Sequence, residues 1–177
     1  MTELEDPQTL PKKKPKKILL VWVAAFLVIA VVSGTFFYWA NIRDKLPKPS
    51  KSIISSVSKG VPLYYPKELP GELYVKQDTI KSKNDITIYQ IADGGKDVVS
   101  VSIQPIPQEF DFAGFYKQTL QGEQFEVKNG EAYIGSFNNR TVASLKTADT
   151  WILVTGTGNL GVNEIKQITS KLENISN

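Results

Sequence analysis

The most uniform stretch of hydrophobic residues runs from position 18 to position 40 and contains no charged side chain. As a helix rising about 1.5 Å per residue, it would be roughly 34 Å long, enough to cross a hydrocarbon core of about 30 Å. It is also longer than the apolar region of a cleaved signal peptide, which has about 7–15 residues. We therefore predict an uncleaved signal anchor, a single transmembrane helix at residues 18–40 that contacts the lipid bilayer.

The residues on either side of this helix predict its orientation. Five lysines lie within six positions directly before it, namely Lys12, Lys13, Lys14, Lys16 and Lys17. The five basic residues that follow it are spread over a longer segment that ends at Lys59. Because the cytoplasmic flank of a membrane helix usually has the denser positive charge, we expect residues 1–17 to form a cytoplasmic basic tail. The C-terminal domain would then be extracytoplasmic, at the cell (plasma) membrane.

A polar linker is predicted for residues 41–60, which are rich in Lys, Ser and Pro. Pro47 and Pro49 oppose a continuous helix in this segment. The spacing of Ile53, Ile54 and Val57 would allow one short helical turn that docks on the following domain, in which case the tether ends near Pro49. The extracytoplasmic domain itself is predicted to cover residues 61–177.

Alternation of apolar and polar residues predicts strands in this domain. The clearest strand follows the Asp-Gly-Gly turn at 93–95, because β-branched residues alternate with Ser, Ser and Gln over residues 99–104. Turn residues such as Asn138-Asn139 divide the rest of the domain into further short segments. Six more strands are predicted at residues 72–80, 85–92, 124–127, 132–137, 141–146 and 151–155.

Two other segments repeat their apolar residues every three or four positions, which predicts amphipathic helices. The first begins after Asp111, a candidate N-terminal cap. Its buried stripe would consist of Phe112, Phe115, Tyr116, Thr119 and Leu120. The second covers about residues 162–172, with a stripe of Val162, Ile165, Ile168, Thr169 and Leu172. The order βββ-α-ββββ-α predicts an α+β fold, with an antiparallel sheet covered on one side by two helices.

Composition contributes mainly by exclusion. The chain has no Cys and no His, which removes disulfides, thiolate or imidazole metal ligands, and catalysis by Ser-His-Asp or Cys-His groups. Residues 1–60 have 10 Lys and Arg against 4 Asp and Glu, whereas residues 61–177 have 11 against 14. A nucleic-acid-binding domain needs a basic stripe on its folded surface. We therefore expect no nucleic-acid partner, and we expect neither a metal nor another cofactor.

A glycine motif, G-x-G-x-x-G at Gly156, Gly158 and Gly161, lies between a predicted strand and a predicted helix. A dinucleotide fingerprint has this local context, but it also opens a βαβ unit with an acidic residue about 20 positions further on. Here 16 residues follow Gly161, and no further strand is predicted among them. We interpret the motif as a strand-to-helix turn in which glycine permits a positive φ.

Two other patterns have the spacing of catalytic groups. Ser56 and Lys59 match the S-x-x-K spacing of some serine acyl-enzymes, but no S-D-N or K-T-G element accompanies them. Two pairs of carboxylates have the spacing of an acid/base pair or an oxygen-ligand cation site. These pairs are Glu109 with Asp111, and Asp93 with Asp97. Because each pair borders a turn or a helix start, where carboxylates are common, we expect a solvated surface, and no residue is predicted to be catalytic.

Several short segments resemble a known group of proteins. They are the sequence VPLYYP at 61–66, LPG at 69–71, VSIQ at 101–104 and WILVTG at 151–156. Together they resemble uncharacterised single-pass membrane proteins of candidate-phylum bacteria. More distantly they are similar to PsbP-like domains and to the extracytoplasmic domains of unknown function that follow anti-sigma-factor segments. The resemblance implies a bacterial surface domain of α+β fold without a known enzymatic activity.

The function expected from these observations is a membrane-tethered extracytoplasmic binding or interaction module of the bacterial cell envelope. Its partner would be an envelope protein or a glycan, and the chain would be a monomer or a weak dimer. One alternative is an accessory subunit of a membrane complex. Another is an envelope hydrolase that uses carboxylate or Ser-Lys chemistry, the hydrolytic options that remain when Cys and His are absent.

Overall fold

The computed structural model describes residues 47–57, 60–157 and 160–176. These residues fall within one compact unit. The predicted tail at 1–17 and the predicted anchor at 18–40 lie outside the described residues. Within the described ranges, none of the helices has the length and apolar character needed to cross a membrane.

Nine strands are present in the described part of the chain. They are β1 (Tyr64–Pro66), β2 (Tyr74–Lys83), β3 (Ile86–Asp93), β4 (Lys96–Pro105), β5 (Glu123–Phe125), β6 (Glu131–Phe137), β7 (Arg140–Lys146), β8 (Thr150–Gly156) and β9 (Leu172–Asn174). Seven of them form one sheet in the order β2-β3-β4-β8-β7-β6-β5, and every neighbouring pair is antiparallel. The seven predicted strands are therefore confirmed. The other two, β1 and β9, form a separate antiparallel ladder that was not predicted.

Three helices accompany the sheet in the described ranges. The first, α1, covers Lys51–Val57, and α3 covers Val162–Ser170. Between them, α2 begins with a turn over Phe112–Gly114 and continues as a wider π-helical turn over Phe115–Thr119. The predicted cap is confirmed, because Asp111 Oδ1 accepts a hydrogen bond from the Gly114 amide at 2.9 Å. The overall class is therefore α+β.

The predicted stripe of the last helix is partly wrong. Ile165, Ile168 and Thr169 are buried as expected, but Val162 is 48% exposed. The helix contributes buried side chains only from Ile165 onward, because its first residues precede the part that packs on the sheet. It also ends at Ser170, and Leu172 is buried as the first residue of β9.

The two faces of the sheet can be defined by neighbouring residues of β7, because successive side chains of a strand point to opposite sides. Ala143 belongs to the inner face and Val142 to the outer face. Cross-strand pairing places Tyr89, Val101 and Val154 in one inner-face row with Ala143. All four are fully buried. The main core therefore lies on the inner face, where α1, α3 and the β1–β9 ladder pack.

The two predicted helices do not share one side of the sheet, so that part of the prediction is wrong. Buried Ile165 of α3 belongs to the inner core, whereas Tyr116 of α2 packs with Val142 and Leu120 in a second cluster on the outer face. The physical reason lies in β7, where residues 142–145 are all buried. A strand that is apolar on both faces needs a covering element on each side.

The segment that precedes the sheet, residues 47–57, is packed on the domain, and we call it the N-terminal strap. The carbonyl oxygen of Pro47 accepts hydrogen bonds from Tyr65 Oη at 3.0 Å and from Gln77 Nε2 at 3.2 Å. Val57 is buried, and Ile53 and Ile54 pack against the inner core. The docking helix is therefore confirmed, and the folded unit includes much of the segment predicted as linker.

Candidate binding surface

The outer face of the sheet is covered by α2 only in part. Its uncovered portion lies on β3, β4 and β8, and we call it the open patch. The open patch consists of Ile88, Gln90, Ser100, Ser102, Leu153 and Thr155. Register places these residues in two adjacent rows, Thr155–Ser100–Gln90 and Leu153–Ser102–Ile88. None of the six is buried, and Ile88 on a central strand is 42% exposed.

One end of the outer face forms a groove of about 500 Å³ between α2 and the β6–β7 hairpin. It is lined by Phe115, Phe137, Asn138, Arg140, Val142, Leu153 and Thr155. We call it the arginine groove. Phe137 and Arg140 are cross-strand partners that flank the two-residue turn, so their side chains stand beside each other. Among the described residues, no carboxylate forms an ion pair with Arg140.

The turn beside this groove has a fixed backbone shape. Asn138 and Asn139 have φ values of 50° and 59°, the positive values that a type I′ hairpin turn requires at both central residues. Asn tolerates this conformation better than most residues do. The predicted Asn-Asn turn is therefore confirmed, and it fixes the register that pairs Phe137 with Arg140.

A second groove, of about 590 Å³, lies at the other end of the outer face along the β2–β3 hairpin. It is lined by Thr79, Lys81, Lys83, Asn84, Ile86, Ile88 and Gln90. We call it the lysine groove. Its turn also has positive φ values, 52° at Asn84 and 62° at Asp85. The open patch therefore ends on each side in a groove that combines apolar side chains with a cation.

The covered part of the outer face contains an aromatic cluster around Trp151, which is 6% exposed. The ring centres of Phe110, Phe112 and Phe115 lie 4.8, 5.3 and 5.5 Å from the Trp151 ring. The indole Nε1 donates a hydrogen bond to Ser144 Oγ at 2.7 Å. Trp151 is therefore a core residue and not a ligand platform.

Tyrosine hydroxyls inside the domain are held in their protonated form. Burial raises the pKa of Tyr116, and the neighbouring Ser144 hydroxyl at 3.5 Å partly offsets that rise. Burial also raises the pKa of Tyr65 to about 12, against the opposing effect of its hydrogen bond with Gln77. Burial also raises the pKa of fully buried Tyr89 well above its ordinary value. These groups are neutral near pH 7 and stabilise the fold as hydrogen-bonded or packed side chains.

Two of the four carboxylates singled out from the sequence have side-chain roles in the fold. Asp111 caps α2, as described above. Asp97 forms an ion pair with Lys76 at 2.8 Å, and that hydrogen bond raises the lysine pKa. The backbones of Asp93 and Lys96 are opposite each other in the β3–β4 ladder, and Glu109 has a positive φ of 60° just before α2. Within the ranges that the structure covers, these and other acidic residues form no cluster suited to a metal ion.

The S-x-x-K pattern is only half described, because Lys59 lies outside the described residues. Its serine, Ser56, is on α1, and its hydroxyl donates a hydrogen bond to the Ile53 carbonyl oxygen at 2.8 Å. Such a bond within one helical turn satisfies the hydroxyl locally. This geometry gives Ser56 a structural role in the strap.

Two residues of the glycine motif, Gly156 and Gly161, lie within the described part of the chain, and Gly156 has a packing role. Gly156 and Gly161 lack the positive φ that was predicted for them, and Gly161 has a φ of −75°. A Cβ at Gly156 would lie 3.0 Å from Ile165 Cδ1, so the small residue allows α3 to approach β8 closely. The interpretation as a positive-φ turn is therefore wrong for these two residues, and Gly158 lies outside the described residues.

Sequence reasoning did not identify either groove. The signal for the arginine groove was present in the Asn138-Asn139 turn, because a two-residue hairpin loop pairs the residues on either side of it. The other wall of that groove comes from Phe115 of α2. That helix was predicted to lie on the same side of the sheet as α3. Comparison of the chain with protein-family models, with curated proteins and with solved structures finds no match.

Proposed function

We propose that this chain is a single-pass membrane protein whose extracytoplasmic α+β domain binds an envelope protein or a glycan. The observation that carries this proposal is the open patch with a groove at each end. An uncovered sheet face that exposes Ile88 beside hydroxyl and amide groups suits a binding partner. The apolar run at 18–40 and the lysines before it support the membrane tether and its orientation. The resemblance to bacterial single-pass surface proteins is part of the same proposal.

A binding role is favoured over hydrolysis by the chemistry of the available groups. The chain has no Cys or His, and Asp97 and Asp111 are engaged in an ion pair and a helix cap. The hydroxyl of Ser56 is bonded within its own helix. A general acid or base needs a pKa brought toward the working pH, whereas the shifts at Tyr65, Tyr89, Tyr116 and Lys76 move away from neutrality.

The membrane topology is tested by labelling single cysteines, which are unique because the chain has none of its own. One variant places Cys at Thr2 and the other at Ser136, an exposed residue of β6. Treating intact cells with an impermeant maleimide should label position 136 and not position 2. Labelling at position 2 alone would reverse the proposed orientation.

The binding role is tested by photo-crosslinking in cells with the full chain. A photoreactive amino acid is placed at Ile88 in the open patch or, as a control, at exposed Gln167 on α3. The proposal predicts a discrete adduct from position 88 and none from position 167. Equal adducts from both positions, or none from position 88, would contradict it.

A further inference from the structure

We propose that the arginine groove binds an extended peptide segment in which a carboxylate lies beside a bulky apolar side chain. This inference rests on the proposed binding function and specifies the ligand chemistry at one end of the open patch. It is based on the two different halves of the groove, one apolar and one cationic, which Phe137 and Arg140 bring together as cross-strand partners.

The apolar half would accept the bulky side chain. Its floor is formed by Val142, which is 6% exposed, and by half-buried Leu153. Phe115 and Phe137 form the walls, and Phe137 is 46% exposed. Among the described aromatic residues, none has a ring contact with Phe137. A ligand side chain here would remove apolar surface from water that the fold itself leaves exposed.

The cationic half would accept the carboxylate. The guanidinium of Arg140 is planar and can donate two parallel hydrogen bonds to one carboxylate. No acidic residue lines this groove, and no described acidic residue is paired with the arginine. A ligand anion would therefore meet a cation without competition from those carboxylates. The hydroxyl of Thr155, which forms no hydrogen bond with the described residues, is available to the peptide backbone.

The groove is held in shape before any ligand arrives. The positive φ values at Asn138 and Asn139 fix the hairpin end. On the other side, the Ser136 amide donates a hydrogen bond to the Leu120 carbonyl oxygen at 3.2 Å, which ties the end of α2 to β6. This approach requires Gly135, because a Cβ there would collide with the same carbonyl oxygen. A preformed groove reduces the ordering cost of binding.

Two other assignments fit less well. The lysine groove offers Lys81 and Lys83, which are flexible point charges, and no aromatic wall. A neutral glycan would place hydroxyl groups against Val142 and Leu153, where they would lose hydration without hydrogen-bond partners. The arginine groove and an acidic, apolar peptide are therefore the better match.

The test uses the full chain in lipid nanodiscs and calorimetry with three acetylated tetrapeptide amides. The probe is Ac-Asp-Gly-Phe-Gly-amide, in which an extended backbone places the Asp and Phe side chains on the same side, and its two controls replace Asp by Asn or Phe by Ala. We expect the probe to bind weakly, with a Kd on the order of 0.1–1 mM. Each control should bind roughly threefold to tenfold more weakly, because one removes the charge and the other removes the apolar group. Equal affinities for all three peptides would overturn the proposal.

Protein variants locate the binding site. Arg140→Gln should weaken the probe roughly fivefold and remove the preference for Asp over Asn, whereas Arg140→Lys should retain part of that preference. Phe137→Ser should remove the preference for Phe over Ala. The double variant Lys81→Gln/Lys83→Gln should bind like the unchanged protein. Thermal melts of each variant establish that it is folded.

Three results would contradict the assignment. They are loss of binding only in the Lys81/Lys83 variant, no probe binding at millimolar concentration, and tighter binding of neutral chitotriose that does not depend on Arg140. None of these results alters the cross-linking comparison between positions 88 and 167. A wrong ligand class can therefore be distinguished from a wrong proposed function.

Discussion

The two halves of the outer face belong to one sheet and share a cross-strand row, but they differ in what covers them. Ser144, Leu153 and Ser102 lie in one cross-strand row. Ser144 at one end is buried beneath α2 and accepts a hydrogen bond from Trp151, whereas Ser102 at the other end is half-buried in the open patch. The comparison shows that one sheet face can serve as core on one side and as surface on the other. A polar residue has a structural role where a helix closes over it.

The largest expected difference between the two halves is the loss of stability when the large apolar side chain of each half is truncated. Trp151→Ala should lower the free energy of unfolding by about 3–5 kcal/mol, because it empties the space among three phenylalanine rings. Ile88→Ala in the open patch should lower it by less than about 1 kcal/mol, since Ile88 is already 42% exposed. Chemical denaturation of the full chain in detergent micelles measures both values. Similar losses would mean that the two halves are not distinct.

The serines of the shared row give a sharper comparison because the change is only one hydroxyl. Ser144→Ala leaves the buried Trp151 Nε1 without its acceptor and should cost about 1–3 kcal/mol. Ser102→Ala should change the free energy of unfolding by no more than about 0.5 kcal/mol. The same denaturation experiment measures both variants. A loss at Ser102 as large as that at Ser144 would show that the open patch is also part of the core.

Most of the sheet was predictable from the sequence because strand alternation and turn residues are local signals. The strand at residues 99–104 is the clearest example. The covering of both faces was harder to predict. The apolar run in β8 and the buried residues 142–145 of β7 indicate two covered faces, but they do not say which helix covers which.

Contacts between distant segments were beyond local patterns. The β1–β9 ladder pairs three residues with three others more than 100 positions away, for example Tyr64 with Asn174. No periodicity can be recognised in strands of three residues. The arginine groove depends in the same way on a tertiary contact, because Phe115 reaches it only when α2 crosses the outer face.

A smaller difference in stability between the two halves is expected at high pH. The covered half contains a tyrosine that titrates there, whereas the open patch contains none. The folded protein raises the pKa of Tyr116 above 10.0, so its contribution to stability is fully present below pH 10. It is lost as the pH rises through the folded pKa. Tyr65, with a folded pKa of about 12, acts in the same direction between pH 10 and 12.

Variants separate these contributions to the alkaline decline in stability. Tyr116→Phe should make the decline above pH 10 less steep, and Tyr65→Phe should do so independently. Ile88→Ala should leave the slope unchanged, because the open patch has no tyrosine. Denaturation midpoints at pH 9, 10 and 11 provide the test. An unchanged slope in both tyrosine variants would contradict the assigned pKa shifts.

We propose that a partner covers the open patch in the cell, and the accessibility of Ile88 tests this proposal. Single cysteines at Ile88 and at Gln167 are labelled with an impermeant maleimide, first in intact cells and then in the detergent-purified protein. We expect position 88 to be protected in cells and to react after purification, whereas position 167 should react in both settings. Equal reactivity of position 88 in both settings would contradict it.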